Sequence, residues 1–182
     1  MIHTSRNTFG ALFQSVYQRG VGAEIGVQTG YNALNIFESG WSGELICIDN
    51  WVRHSEFNEA RERLKEKRAT FIQHDSSEAA SLIGNATLDF VFIDAGHAYE
   101  EVKKDFEAWF PKVRVGGIIS GHDYAPATHK NDCDGVRVFI EELMANNPEI
   151  EMNFTTDDFY VGDDKNIHGN EYQSWWFIKK EI

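Results

Sequence analysis

Two acid–histidine pairs carry the most visible chemistry of this chain: Asp94 with His97 three residues on, and the adjacent His122 and Asp123. Asp94 closes the apolar run Leu88–Asp94, and His122-Asp123 follows the run Gly117–Ser120. If both runs are strands of one parallel sheet, their carboxyl ends lie together and these side chains converge. Asp94, His122 and Asp123 would then offer two carboxylates and an imidazole to a divalent cation. Such a cation polarises a substrate hydroxyl and lowers its pKa. His97, with an ordinary pKa near neutrality, would serve beside Asp94 as a general base. The alternative is that His97 caps the helix beginning near Tyr99, or bonds to His122-Asp123 for structural reasons.

A second constellation opens the chain. The segment Glu24-Ile-Gly26-Val-Gln-Thr29-Gly30 has glycines at the end of an apolar run, where they let backbone approach a ligand and adopt φ > 0. Gly22, Gly26 and Gly30 fall four apart, which is not the Gly-x-Gly-x-x-Gly of dinucleotide binders. Asp49 ends the next run, 25 residues after Glu24. A carboxylate placed there accepts both hydroxyl protons of a ribose. In this order, the two features favour a nucleoside ligand over a simple turn followed by a capping Asp.

These residues need elements to hold them, and the chain alternates short β-branched runs with longer amphipathic ones, the pattern of βαβ construction. Strands are expected at Gly22–Val27, Leu45–Asp49, Thr70–Gln73, Leu88–Asp94 and Gly117–Ser120. Being apolar on both sides, they suit a parallel sheet covered on both faces. Helices are expected at Ser5–Gln18, Glu56–Arg68, Tyr99–Phe110 and Asp134–Asn146. The tail reads differently, with strands at Ile150–Thr155, Phe159–Gly162 and Ser174–Lys179 and a hairpin loop over Asp163–Asn170. The expected fold class is therefore α/β: a Rossmann-like, doubly wound, seven-stranded, mostly parallel sheet with an antiparallel last strand and helices on both faces.

With 182 residues, 17 Lys and Arg, 29 Asp and Glu and a net charge of −12, the chain reads as one acidic domain. The charge opposes a nucleic-acid partner, which needs a basic face to displace phosphate counterions, and opposes docking on an anionic membrane. No apolar run approaches the roughly 20 residues that span a bilayer, and Met1–Phe13 lacks a secretory pattern. Cys47 and Cys133 form no disulfide framework. A cytoplasmic location is expected.

Four motifs in order resemble the class I S-adenosylmethionine-dependent methyltransferases, specifically the small bacterial O-methyltransferase-like group. They are Glu24–Gly30, Ile46-Cys-Ile-Asp-Asn-Trp51, Asp89-Phe-Val-Phe-Ile-Asp-Ala-Gly-His97 and Gly116-Gly-Ile-Ile-Ser-Gly-His-Asp-Tyr124. The resemblance implies S-adenosyl-L-methionine as cofactor. Glu24, Gly26, Thr29 and Gly30 would hold its methionine part, Asp49 with Asn50 its ribose, and Trp51, Asp75 and Ser76 its adenine, with Asp94 beside them. Metal-dependent relatives of the catechol type carry an Asp after strand four, an acid-amide (Asp-Asn) or acid-acid pair after strand five, and a Lys base where His97 stands. The pair His122-Asp123 departs from that pattern and leaves magnesium, manganese, another divalent ion or no metal open.

The expected layout is one domain over 1–182: an N-terminal helix over 1–20, a cofactor-binding core over 21–147 and a β-hairpin over 148–182. The expected function is methyl transfer to a small-molecule hydroxyl. The rivals are a nicotinamide-dependent oxidoreductase, disfavoured by the glycine spacing, and a binding module without catalysis. The mixed-sign run Arg61–Arg68 reads as a solvated helix face. Trp175-Trp176 reads as one core and one partly exposed ring, with a homodimer contact as the other reading, and Ala125–Cys133 as a lid or a simple connection.

Overall fold

In a computed structural model of the chain, residues 5–125, 134–156, 158–161, 167–170 and 172–181 are described. The apolar runs form strands β1 (Val21–Ile25), β2 (Glu44–Asp49), β3 (Ala69–Gln73), β4 (Leu88–Ile93) and β5 (Val113–Tyr124). Four more strands follow: β6 (Asn153–Phe154), β7 (Asp158–Val161), β8 (Ile167–Asn170) and β9 (Gln173–Ile178). A seven-stranded sheet has the order β3-β2-β1-β4-β5-β9-β6. Neighbours from β3 to β5 are parallel, while β9 is antiparallel to both β5 and β6. The order reverses between β1 and β4, which places the topological switch at their carboxyl ends. The expected doubly wound sheet with an antiparallel last strand is what the chain forms.

The tail differs from expectation in one respect. Ile167–Asn170, read as loop, is a strand that pairs antiparallel with β7 in a separate two-stranded sheet. The run starting at Phe159 therefore adds nothing to the main sheet, whose sixth member is the two-residue β6. A polar Gly-Asn composition hid a ribbon whose two strands pair with each other.

Helices α1 (Phe9–Gln14), α2 (Tyr31–Glu38), α3 (His54–Arg63), α4 (Ser76–Ala79), α5 (Tyr99–Trp109) and α6 (Asp134–Asn146) cover the sheet, with a 3-10 turn at Arg6–Thr8 before α1. The strand period of two sorts the core. Phe90 and Phe92 face Phe9, Phe13 and Trp41 on the α1–α3 side, whereas Val91 and Ile93 join Val102, Phe106 and Phe139 beneath α5 and α6. Phe13 stacks on Phe90 with ring centroids 3.7 Å apart. Trp175 is buried in the core and Trp176 is partly exposed, as the sequence suggested. No helix among the described residues is long and apolar enough to cross a membrane.

The fully buried Asp89 in β4 locks the end of the sheet opposite the switch. Its carboxylate accepts the backbone N–H groups of Gln18 (3.1 Å), Arg19 (2.8 Å) and Gly20 (2.7 Å), and the Arg114 Nε–H at 2.8 Å. Burial alone would raise its pKa, but these donors win and hold the carboxyl below the ordinary range. A folded pKa depressed in this way contributes stability above the unfolded value of 3.8 and loses it as pH falls through the folded value. Asp89→Asn leaves Arg114 without its buried partner, so urea denaturation at neutral pH is expected to show a loss of about 3–5 kcal/mol. An unchanged midpoint at pH 7 would remove Asp89 from this role.

Candidate active site

A cleft of about 580 Å³ opens at the switch, lined by the ends of β1 and β2, by the segments that follow β1, β2, β3 and β4, by α5 and by Asp123 of β5. That volume lies in the range of small-molecule sites. The glycine turn makes the convergence possible. Gly26 sits at φ +87°, and a Cβ there would lie 2.0 Å from the Asp94 carbonyl oxygen. Gly26 N–H donates to the Ile48 carbonyl (2.9 Å) and Asp94 N–H to the Ile25 carbonyl (2.8 Å), drawing the three strand ends together. Gly30, at φ +81°, is the N-cap of α2.

The turn and Asp49 fix each other. Asp49 Oδ2 accepts the Gln28 N–H (2.8 Å) and Oδ1 the Trp51 N–H (2.7 Å), while Asp49, Gln28 and Asn50 all line the cleft. A carboxylate has about four acceptor sites, so both oxygens keep capacity for ligand hydroxyls. Trp51 is not among the residues that line the cleft. It is 1% exposed, packs against Phe57 and Phe71, and donates its Nε1–H to the Gln28 carbonyl at 2.7 Å. It props the turn from beneath. Thr29 and Gly30 also lie off the cleft wall. The Thr29 carbonyl accepts from Arg63, whose guanidinium lies 3.5 Å from the Tyr31 ring centroid. Arg63 thus holds the turn, although the basic run reads from sequence as a solvated face.

Glu24 lies beneath this turn with 1% exposure. Its Oε1 accepts from Asn32 Nδ2 on α2 at 3.0 Å, but Oε2 has no hydrogen-bond partner. Burial is the main cause that pushes its pKa up to about 8. Native buried carboxylates are normally satisfied, so the unpartnered oxygen stands out.

Across the switch, the acid–histidine pairs do converge, but in a different set from the expected one. His97 Nε2 lies 2.7 Å from Asp123 Oδ2, and His122 Nδ1 lies 3.1 Å from Asp123 Oδ1, so one carboxylate bridges two imidazoles. Asp94, His97 and Asp123 face the cleft, and each offers one ligand atom within 4.8 Å of the others. His122 is not part of that trio. It is buried behind it, with Nδ1 4.0 Å from Asp94 Oδ1 and its carbonyl accepting the Trp175 Nε1–H. The reversal arises because Asp123 adopts φ +62° at an irregularity of the β5–β9 pairing. Nor does His97 cap α5: Ala98 is the N-cap, and Glu101 Oε2 accepts its N–H at 3.2 Å.

The charges of the trio follow from its contacts. The His97 pKa is raised, first by the hydrogen bond to Asp123. Burial would raise Asp123, but bonds from both imidazoles hold it well below the carboxylate range. Asp94 is raised, mainly by burial. Arg6 Nη1 stands 3.8 Å from Asp94 Oδ2.

The far end of the cleft is built by α4 and α5. Asp75 caps α4, accepting the Ser77 N–H (3.1 Å) and hydroxyl (2.8 Å). The Ser77 hydroxyl is the first cause that lowers its pKa. Ser76 Oγ accepts the Trp109 Nε1–H at 3.0 Å, and Lys104 Nζ lies 3.6 Å from Asp75. Asp105, buried and lining the same wall, escaped the sequence reading, as did Arg6. Both sit in stretches legible only through their apolar face, where a polar residue carries no separate signal.

Against known proteins, the family model described as a methyltransferase domain matches residues 23–124, more than half of the chain. The uncharacterized protein y4gI of Sinorhizobium fredii (strain NBRC 101917 / NGR234) is 24% identical over 143 residues, 71% of this chain and 15% of that protein. The chain thus spans about a seventh of the curated relative it matches. Among solved structures it is similar to the O-methyltransferase TomG from Streptomyces achromogenes, involved in tomaymycin synthesis and solved in complex with SAM. The TM-score is 0.70 at 18% identity, over 96% of this chain and 79% of TomG. An rRNA methylase from Streptococcus thermophilus gives 0.67 at 11% identity, over 100% and 99% of the two chains. At such identities the solved structures speak for the fold. The glycine turn, both acidic strand ends and the switch all fall within the matched residues, and the chain belongs to the methyltransferase-domain family, with the class I, O-methyltransferase-like fold.

Proposed function

We propose that the chain is an S-adenosylmethionine-dependent methyltransferase that acts on a hydroxyl of a small molecule. The observation that carries the reading is the His97–Asp123 pair opening onto the same cleft as the glycine turn and Asp49. The residues suit the cofactor: Gly26 keeps the floor free of a side chain, Asp49 retains acceptor capacity for ribose hydroxyls, and the Glu24 oxygen lacks the donor that a ligand ammonium supplies. Asp75 and Ser76 line the end left for the base, with Asn50 between. When bound, S-adenosylmethionine supplies a methyl group on a cationic sulfur, and a field of carboxylates suits that charge.

The chain's own part is to orient two molecules and move one proton. Asp123 fixes the His97 ring through Nε2, which leaves Nδ1 to accept the proton of the acceptor hydroxyl. Alignment of the reactants supplies most of the remaining rate. The net charge of −12 favours a small acceptor over an RNA. A homodimer and a cytoplasmic site belong to the same proposal.

A second reading has a divalent cation held by Asp94, His97 and Asp123, carried by the closeness of their ligand atoms. A mixed oxygen and nitrogen set suits manganese, iron or zinc better than magnesium, and the cation would lower the pKa of an acceptor oxygen. Removing metal with EDTA separates the readings: unchanged turnover assigns the proton to His97, and loss restored by Mn²⁺ assigns it to the metal.

Three further outcomes are expected. Release of S-adenosylhomocysteine with a panel of catechol, sugar and polyketide hydroxyls should fall about 10²–10⁴-fold in His97→Gln, with affinity for S-adenosylhomocysteine kept within about threefold. Turnover needs the neutral imidazole, and the raised His97 pKa means that kcat/KM should climb with pH through a value above 6.5. A profile flat from pH 6 to 9, or full activity in His97→Gln, removes His97 as the base. Calorimetry should also find binding of S-adenosylhomocysteine but not NAD, weakened in Asp49→Ala; binding of NAD alone overturns the cofactor reading.

A further inference from the structure

The N-terminal 3-10 turn brings a cation beside Asp94, one of the carboxylates that line the cleft. The turn is held in place. Ser5 Oγ accepts the Asn7 N–H at 3.2 Å, and Asn35 of α2 donates to the Asn7 side chain. Gly10 N–H donates to Ser39 Oγ at 2.8 Å. A Cβ at Gly10 would lie 1.9 Å from the Ile36 carbonyl, so α1 and α2 touch through backbone. Arg6 is therefore delivered by packed structure. Its side chain is 13% exposed and stands beside Asp94 at 3.8 Å, too far for a hydrogen bond and close enough for attraction.

We propose that Arg6 seats the carboxylate of the cofactor's amino-acid end, which makes the N-terminal turn part of the binding site. The inference rests on the methyl-transfer reading above and extends it to a residue outside the resemblance motifs. S-adenosylmethionine carries two positive groups and one carboxylate. Its positive groups suit Glu24, whose Oε2 is buried without a partner, and Asp94. The carboxylate is repelled by Asp49, Asp94 and Asp123 and needs a cation of its own. Lys104 stands with Asp75 at the opposite end of the cleft. Among the described residues, Arg6 is the guanidinium at the Glu24–Asp94 end, and its charge acts on both of those acids. A guanidinium fork matches a carboxylate with two parallel hydrogen bonds, which a lysine point charge does not.

The test is a ratio of affinities. S-adenosylhomocysteine and S-adenosyl-3-thiopropylamine differ only in the carboxylate, and titration calorimetry gives both constants for one protein. The intact protein is expected to prefer S-adenosylhomocysteine by about 10- to 100-fold, the scale of charge-assisted hydrogen bonds. In Arg6→Ala the preference should collapse to within about threefold, and Arg6→Lys should keep part of it. Because each ratio is measured within one variant, partial destabilisation cancels. Should Arg6→Ala not fold, a reduced preference in Arg6→Lys supports the role and an unaltered one overturns it. An unchanged ratio in Arg6→Ala, with or without a raised KM for the acceptor, overturns the proposal while sparing the methyl-transfer reading. If the unmodified protein binds neither compound, both fall together.

Discussion

Everything in this molecule is arranged around the contact between the Gly26 backbone and the carbonyl of Asp94. Three parallel strands must end within a few ångströms of one another for β1 to hand the chain across the switch, and any side chain at position 26 would occupy space already filled. Once that approach is made, the order of the strands does the rest. β2 carries Asp49 to one side of the turn and β4 carries Asp94 to the other, while β5 places Asp123 next to β4. The cleft is a consequence of topology, and the residues around it inherit their positions from strand length and register.

The two ends of the sheet treat a buried acid in opposite ways. Asp89 and Glu24 sit on neighbouring strands with almost no exposure. Asp89 receives three backbone N–H groups and a guanidinium, so its burial is compensated and its proton is held weakly. Glu24 receives one amide, keeps an orphaned oxygen and holds its proton tightly. An unsatisfied buried polar group costs about 1–3 kcal/mol. A fold that satisfies Asp89 so fully has no packing reason to leave Glu24 short. The difference is explained if a donor arrives at Glu24 with the ligand.

The sheet was legible because its strands are apolar on both faces: Leu88–Ile93 is buried at every position, and Asp134–Asn146 forms a helix over the bounds its N-cap and Asn147-Pro148 suggest. Helix α2 was not legible, because Tyr31–Glu38 buries only Ala33 and Ile36 and follows a glycine turn that draws attention to itself. Residues 126–133, most of the stretch read as a lid, lie outside the described residues. In the site, residue types pointed to the right strand ends but not to side-chain direction. Whether His97 or His122 joins Asp94 depends on the left-handed turn at Asp123, and a non-glycine residue at φ +62° leaves no mark in composition. The place of Trp51 was hidden for a related reason: its ring could lie on either side of the turn, and packing against Phe57 and Phe71 put it underneath.

The same electrostatics set fold stability against function. Both Glu24 and His97 have folded pKa values above their ordinary ones of 4.5 and 6.5. Each therefore contributes stability that is complete below the unfolded value and lost as pH rises through the folded value. Proton acceptance, however, needs His97 neutral, and pairing with a cationic ligand needs Glu24 ionised. The conditions that prepare the site are thus those under which the empty protein is least favoured. A ligand bringing an ammonium to Glu24 reverses one of these losses, since binding only the folded state stabilises it by mass action. If the proposed cofactor binds here, its positive charge offsets the acid-rich strand edge, and the glycine turn leaves the position open for it.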